Sequence, residues 1–251
     1  RGYITGINHK LNDWPILEST LYYDQPIINL LNMASGDYKY IKSKGGGEFK
    51  NSSRWVNEYS VQSFMKNEMK NTTKGKNKYH YSNLNTNLIG SYVLYKMGRK
   101  DFKKMLNEIF TNKVGIEYDM VIKQQPKASR SQASLTYGMH VTRYDYLRIA
   151  VAMLDDWNNN TCEGQYLKSL HENRIYKGKT NNINNTDAFS HPKHYGGQFH
   201  IGISGKRDKP IFILDGFGGQ NITIDFENNR IIVILSIHRD HNWMKLVHSK
   251  F

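Results

Sequence analysis

The sequence predicts an α+β fold, with a helical part over roughly residues 1–190 and an antiparallel sheet over roughly residues 195–251. The first observation is that apolar residues recur at helical spacing in several segments of the helical part. The second is a change of period in the last third, where runs of β-branched residues alternate with turn residues. Helices followed by a run of strands are typical of α+β proteins. The 251 residues suffice for one large domain or two small ones, and we expect a single domain.

The first 53 residues predict the end of a helix, a short capped helix and a loop. Residues 1–20 fit the end of a helix and a connection, and residues 12–15 break the apolar pattern. Pro26 suits a helix start, positions 27, 30 and 31 are apolar at helical spacing, and Gly36 suits a C-terminal cap. Residues 37–53 are rich in Gly, Lys and Ser, which predicts a surface loop.

Apolar periodicity predicts five more helices before the sheet. Gly98 closes the second of them, Thr142 caps the fourth, and residues 116–130 are expected to be irregular. The predicted helices cover residues 55–69, 83–98, 101–110, 142–154 and 165–170.

The last third predicts three or four antiparallel strands and a final helix. Strand-like runs cover residues 198–203, 211–214, 221–225 and 231–236. Asn228-Asn229 supplies a hairpin turn between the last two runs. A helix over residues 243–247 is expected to pack on this sheet.

The composition limits the partners and the compartment. The net charge is +13 with a pI near 9.6, but Lys is dispersed and no helix carries a basic stripe. We therefore expect a solvated basic surface and no nucleic-acid partner. No apolar run is long enough to span a membrane, so no membrane insertion is expected. Cys162 is the only cysteine, which rules out a disulfide within these residues and fits either cytoplasm or periplasm.

Tyr81-Ser82-Asn83 is the central candidate for a functional site. A Lys-, Gly- and Asn-rich loop leads into it, and an apolar helical pattern leaves it. Such a junction can hold a phenol and an amide beside a substrate on a rigid base. The alternative is an ordinary helix start, in which the Asn caps the helix and the Tyr packs.

Three other segments join Tyr81-x-Asn83 in an ordered set. Together they resemble motifs of the serine β-lactamase and penicillin-binding-protein superfamily, which includes the class C β-lactamases. The last segment is similar to the 6-aminohexanoate-dimer hydrolase and esterase branch. The three segments are Leu30-Leu31-x-x-x-Ser35-Gly36, the run from Gly138 to Arg148 with Thr142 inside it, and Gly216-Phe217-Gly218-Gly219-Gln220.

This resemblance implies a β-lactamase/transpeptidase-like fold and a serine hydrolase that acts through an acyl-enzyme. In that case a Lys and Tyr81 shuttle the proton, while Asn83 holds the substrate amide or steadies the Lys. A backbone N–H near Gly216 or Gly218 completes an oxyanion hole. The superfamily's Lys/His-Ser/Thr-Gly tripeptide is missing near Gly216, which argues against a penicillin-type substrate. The residues from Gly216 to Gln220 also fit a plain Gly-rich hairpin.

The nucleophilic Ser-x-x-Lys of the superfamily has no convincing counterpart within residues 1–251. The tetrapeptide from Ser63 to Lys66 lies in the wrong order, and the one from Ser190 to Lys193 contains Pro192 in its interior. We therefore expect the nucleophile upstream of Arg1, and these residues alone to be inactive.

No cofactor and no metal site is expected, because the spacing of His191, His194 and His200 is irregular and no phosphate-binding Gly loop occurs. The expected partner is a small ester or amide, including an oligo-amide. The alternative is an inactive family member that binds cell-wall peptide.

Overall fold

The protein is described from a computed structural model, which covers residues 2–37, 61–124, 135–178, 193–216, 219–235 and 241–251. The predicted α+β class is confirmed, since several helices accompany a six-stranded antiparallel sheet that packs against one of them. The chain divides into two compact units. The N-terminal unit comprises Arg1–Leu106 and Met120–His140, and the sheet unit comprises Asn107–Asp119 and Val141–Phe251.

The N-terminal unit is built from helices and one hairpin. In the described part of this unit, a 3-10 helix at Pro15–Leu17 precedes three α-helices and two strands. The predicted helix end within residues 1–20 is wrong, because the backbone from 2 to 14 forms bends and turns. The elements are α1 (Ile27–Leu31), α2 (Val61–Asn67), α3 (Asn83–Leu106), β1 (Val121–Gln124) and β2 (Leu135–His140).

The stretch from Gly98 to Gln124 follows the prediction at Gly98 and departs from it further on. Gly98 interrupts α3 with a φ of +74°, as expected for a glycine that closes a helix. The predicted helix over 101–110 instead ends at Leu106 and continues as a π-helix, Asn107–Lys113. The prediction of an irregular region over 116–130 is wrong for Val121–Gln124, which pairs with β2. This strand is too short to show a period, and its partner follows a ten-residue connection.

The described residues of the sheet unit form the π-helix, three α-helices and six strands. The strands follow one another in space as they do in sequence, and each pair is antiparallel. The prediction of three or four strands missed the first two, Ile175–Tyr176 (β3) and His194–Gly196 (β4), which have two and three residues. The elements are α4 (Arg143–Asn158), α5 (Cys162–Glu172), β3 (Ile175–Tyr176), β4 (His194–Gly196), β5 (Phe199–Ile201), β6 (Ile211–Gly216), β7 (Gln220–Asp225), β8 (Arg230–Ile234) and α6 (Trp243–His248).

Helices cover both faces of the sheet. Phe212 of β6 points toward α4 and α5, while its neighbours Ile211 and Ile213 point toward α6. Both faces are therefore apolar, which explains why the strands appear in the sequence as continuous runs of Ile, Phe and Val. The α4 and α5 side buries Ala150, Leu154, Leu167, Ile201, Phe212, Ile222, Ile224 and Phe226, and the α6 side buries Ile203, Ile211, Ile213, Trp243, Met244 and Val247.

Two predicted local signals of the sheet unit are confirmed. Thr142 caps α4, because its hydroxyl oxygen accepts the N–H of Asp145 at 3.2 Å. The β7–β8 turn contains Asn228 and Asn229, with a φ of +52° at Asn229. Asp225 stabilises this turn by accepting the backbone N–H of Asn228 at 3.2 Å.

A hydrogen-bonded chain fastens the first residues of the N-terminal unit to α3. The hydroxyl of the fully buried Tyr92 donates to Asp13 Oδ1 at 2.6 Å, so His9 Nε2–H donates to Tyr92 at 2.6 Å. Lys96 forms an ion pair with the same carboxylate. Burial opposes ionisation of Asp13, but the hydrogen bonds from Lys96 and Tyr92 hold its pKa below the ordinary value.

We expect Tyr92→Phe to lower the free energy of unfolding by about 2 kcal/mol, because it leaves His9 and Asp13 without their shared partner. Tyr95→Phe is the matched control. Its hydroxyl donates to the carbonyl oxygen of Asp13 at 3.2 Å from a half-exposed position, so about 0.5 kcal/mol or less is expected. Urea unfolding measures the free energy of unfolding of both variants. Equal losses would contradict the proposed importance of the hydrogen bonds that join His9, Tyr92 and Asp13.

Candidate functional site

Two segments that the sequence analysis singled out are hydrogen bonded to each other in the N-terminal unit. The 33–37 segment follows α1, and the 75–85 segment leads into α3. Gly75 N–H donates to Gly36 O at 3.1 Å, and His80 N–H donates to Met33 O at 2.7 Å. The Ser35 hydroxyl donates to Asn85 Oδ1 at 3.1 Å, and both side chains are fully buried. The loop before Tyr81 is therefore held at several points by the 33–37 segment.

Close packing, and not a helix cap, requires a glycine at position 36. The prediction that it caps α1 is wrong, because α1 ends at Leu31 with Asn32 as its C-terminal cap. Gly36 has a φ of +77°, and a Cβ at this position would lie 2.7 Å from the carbonyl oxygen of Gly75. Only glycine satisfies both the left-handed backbone and this approach.

Tyr81 and Asn83 occupy the predicted junction between loop and helix. Residues 72–82 have no regular structure, and Asn83 is the first residue of α3. Tyr81 is 42% exposed, whereas Asn83 is 7% exposed. The structure thus has the predicted junction at these two residues, while their chemical roles stay predictions.

A buried carboxyl group, Asp37, lies beside this junction. Its side chain is 1% exposed, and its Oδ2 accepts the hydroxyl of the fully buried Tyr22 at 2.9 Å. Burial raises the pKa of Asp37 to about 6, while the hydrogen bond from Tyr22 and the nearby hydroxyls of Ser35 and Ser82 act in the opposite direction. The prediction that residue 37 begins a surface loop is therefore wrong for Asp37 itself.

The segment from Gly138 to Arg148 forms a polar network around the start of α4. Asp145 is fully buried and accepts the Thr142 hydroxyl at 2.7 Å and Arg148 Nη1–H at 3.1 Å. The backbone N–H of Glu117 donates to the same carboxylate at 3.0 Å. Burial opposes ionisation, but these donors hold the pKa of Asp145 below its ordinary value. The network fixes the start of α4, which is a structural role.

The Gly-rich segment forms the turn of the β6–β7 hairpin in the sheet unit. Gly216 ends β6 and pairs with Gln220, the first residue of β7. Gly219 has a φ of +89°, and its N–H donates to Gly216 O at 3.2 Å, so that N–H closes the turn. Phe217 and Gly218 lie outside the described residues. Whether this hairpin supplies oxyanion donors stays a prediction.

The internal Ser-x-x-Lys tetrapeptide that the structure describes lacks the setting of a nucleophile. The one from Ser63 to Lys66 lies on α2, where Phe64 and Met65 are buried but Lys66 is exposed. A catalytic Lys of this type needs burial beside its Ser to lose its proton near neutral pH. In the second tetrapeptide, residues 190–192 lie outside the part of the chain that the structure describes.

Of the histidines considered as metal ligands, His200 contacts a lysine in the structure. His200 is 4% exposed, and its Nδ1 lies 3.1 Å from Nζ of the buried Lys177. Burial and then the nearby Lys177 charge lower the pKa of His200 well below its ordinary value, so Nδ1 accepts the ammonium hydrogen. Among the described residues no group of three or more His, Cys, Asp or Glu side chains could hold a metal. His191 lies outside them.

An open groove of about 390 Å³ lies on the outer side of α4. It combines exposed apolar residues, such as Leu147 and Val151, with the ion pair of Lys113 and Asp156. It contains none of the predicted site residues, so we give more weight to the junction at Tyr81.

Sequence reasoning missed four buried polar residues near the junction, namely Tyr22, Asp37, Ser82 and Asn85. Ser82 and Asn85 lie within the segment it singled out, but only their contacts distinguish them.

Among the described residues no helix is long and apolar enough to cross a membrane. Comparison of the chain with models of protein families gave no match, and comparison with curated proteins gave none either.

Proposed function

We propose that this chain belongs to a serine hydrolase that cleaves a small ester or amide, including an oligo-amide, through an acyl-enzyme. The proposed nucleophile is the Ser of a Ser-x-x-Lys tetrapeptide upstream of Arg1. Within residues 1–251 the proposed catalytic residues are Tyr81 and Asn83.

The contact between the 33–37 and 75–85 segments is the observation that supports this proposal. Their likeness to two motifs of one superfamily was inferred from separate stretches of sequence, about 40 residues apart. Two segments that resemble these motifs only by chance would not be expected to contact each other. Two parts of one functional site must lie close together. The segments share two backbone hydrogen bonds and the buried pair of Ser35 and Asn85.

The surroundings of Tyr81 and Asn83 suit their proposed roles. The exposed position of Tyr81 leaves its ring accessible to a bound substrate, and a phenol beside a cation can act as a general base. Asn83 begins a helix whose next turn is held by Ser35, which limits the motion of its amide. Neither role requires a metal or a cofactor.

The test is an activity and labelling experiment on the protein expressed from its complete reading frame. We expect hydrolysis of p-nitrophenyl acetate and butyrate with an initial burst, because an acyl-enzyme accumulates. A fluorophosphonate should label one Ser and abolish the activity, and peptide mapping should place that Ser in a Ser-x-x-Lys sequence outside residues 1–251.

Two results would overturn the proposal. One is the absence of both hydrolysis and labelling in folded protein, which would favour a binding protein that keeps the fold without the chemistry. The other is labelling of Ser63, which would move the nucleophile into α2. An alkaline-inactivated sample, checked for loss of structure by circular dichroism, provides the background rate.

A further inference from the structure

The hydrogen-bonded chain that joins His9 to α3 continues outward from His9 to a surface hydroxyl. The hydroxyl oxygen of Thr5 lies 3.2 Å from Nδ1 of His9, and Nε2 of His9 lies 2.6 Å from the hydroxyl oxygen of Tyr92. Tyr92 in turn donates to Asp13 Oδ1 at 2.6 Å. Thr5 is exposed and Tyr92 is fully buried, so the chain leads from a buried phenol to the protein surface.

The carboxylate at the end of this chain fixes the order of its hydrogens. An ionised carboxylate only accepts, so Tyr92 gives its one hydroxyl hydrogen to Asp13. Nε2 of His9 is then the donor toward Tyr92. A neutral histidine carries one ring hydrogen, so Nδ1 keeps its lone pair and accepts the hydrogen of Thr5. His9 therefore presents its basic nitrogen to the Thr5 hydroxyl.

The backbone after Thr5 leaves room for a second reactant. The next residue, Gly6, has a φ of +143°, and no atom lies within 4 Å of the position that a Cβ would occupy there. The N–H groups of Gly6, Ile7 and Asn8 make no backbone hydrogen bond within the described part of the chain. These donors directly follow Thr5, so they can stabilise negative charge on the oxygen of a carbonyl group that reacts there.

We propose that Thr5 and His9 form a nucleophile and general-base pair that transfers the acyl group of a small activated ester to the Thr5 hydroxyl. A nucleophile within hydrogen-bond reach of a base, with the base oriented by a third group, is the arrangement that nucleophilic catalysis requires. Tyr92 and Asp13 are positioning residues, because they act through His9. This pair is separate from the Ser-x-x-Lys nucleophile proposed above.

The acyl transfer balances without any further reactant. Oγ1 of Thr5 attacks the carbonyl carbon while the hydroxyl hydrogen moves to Nδ1 of His9. The bond between the acyl carbon and the leaving oxygen then breaks, and the leaving group takes that hydrogen from His9. The positive charge that His9 carries in between is stabilised, through Tyr92, by the carboxylate of Asp13. The product is an ester of a secondary alcohol, which water hydrolyses slowly, so the acyl group accumulates on Thr5.

The experiment maps acetyl groups on the intact protein. The protein is incubated with excess p-nitrophenyl acetate, and peptide mass spectrometry follows acetylation of each residue separately. We expect an acetyl group on Thr5 that hydroxylamine removes, which distinguishes an ester from an acetylated lysine. Thr111, an exposed threonine of the π-helix, is the matched control in the same sample and should react at the background rate.

Three variants test the roles of Thr5 and His9. Thr5→Ser should keep the reaction, whereas Thr5→Val should abolish it at this position. The amide of His9→Gln can replace both hydrogen bonds of the imidazole but is not a base, so acetylation of Thr5 should be about 10²-fold slower. Equal rates in His9→Gln and the wild type, or a Thr5 rate no higher than that of Thr111, would overturn the inference.

Nitrogen NMR tests the order of hydrogens without any reaction. With ¹⁵N-labelled histidine, the signals of neutral His9, assigned by their loss in His9→Gln, should show the hydrogen on Nε2 and none on Nδ1. Tyr92→Phe removes the acceptor of Nε2–H, so part of the population should then carry the hydrogen on Nδ1. Hydrogen on Nδ1 in the wild type, or an unchanged tautomer in Tyr92→Phe, overturns the inference. The hydrolase proposal would stand, because its catalytic residues include neither Thr5 nor His9.

Discussion

Tyr81→Phe is expected to lower kcat for an activated ester by about 10²-fold, which is the usual contribution of a positioned general base. The free energy of unfolding should change by about 0.5 kcal/mol or less, because only the hydroxyl of a half-exposed side chain is removed. The measurement is steady-state hydrolysis of p-nitrophenyl acetate by the intact protein, with urea unfolding as the check on folding.

Two other tyrosines provide a control and an alternative for this result. Tyr95→Phe removes a half-exposed hydroxyl from α3 in the same unit and should leave kcat unchanged. Tyr79→Phe tests the nearest alternative phenol of the same loop. Full activity in Tyr81→Phe would remove Tyr81 from the proposed chemistry, and a large loss in Tyr79→Phe would transfer the role to Tyr79.

The features that the sequence predicted correctly are those fixed by neighbouring residues. The cap at Thr142, the break at Gly98 and the turn at Asn228-Asn229 each depend on a hydrogen bond or a dihedral preference within a few residues. The long runs of β6, β7 and β8 were recognisable because helices cover both sides of the sheet. The junction at Tyr81 and Asn83 belongs to this group, since loop composition and helical periodicity meet there.

The features that the sequence did not predict depend on distant partners. Strand β3 has two residues, and only its pairing with β4 across a separation of about 20 residues makes it a strand. Asp37 follows Ser-Gly and precedes a Gly- and Lys-rich stretch, so local composition indicates exposure. Its burial follows from Tyr22, which lies 15 residues earlier, and from the 75–85 segment, which lies about 40 residues later.

The hydrogen-bonded contact between Gly36 and Gly75 joins the 33–37 and 75–85 segments, and it has the second large expected effect. Gly36→Ala should destabilise this contact by about 3 kcal/mol, because a left-handed conformation costs an alanine about 1–2 kcal/mol and forced overpacking costs about 1–3 kcal/mol. The added Cβ would meet the backbone of Gly75 at 2.7 Å, and a backbone atom cannot rotate away as a side chain does. The 75–85 segment must therefore shift, and Tyr81 with it.

Amide hydrogen exchange measures this shift at the bonds concerned. The N–H groups of Gly75 and His80 donate to the 33–37 segment, so their protection should fall by about 10²-fold in Gly36→Ala. Gly178→Ala is the matched control, because Gly178 has the same φ of +77° but no atom within 4 Å of the added Cβ. It should leave the exchange of both amides unchanged. Unaltered protection of Gly75 and His80 in Gly36→Ala would mean that these hydrogen bonds do not hold the loop, and the support that their contact gives to a shared site would fail.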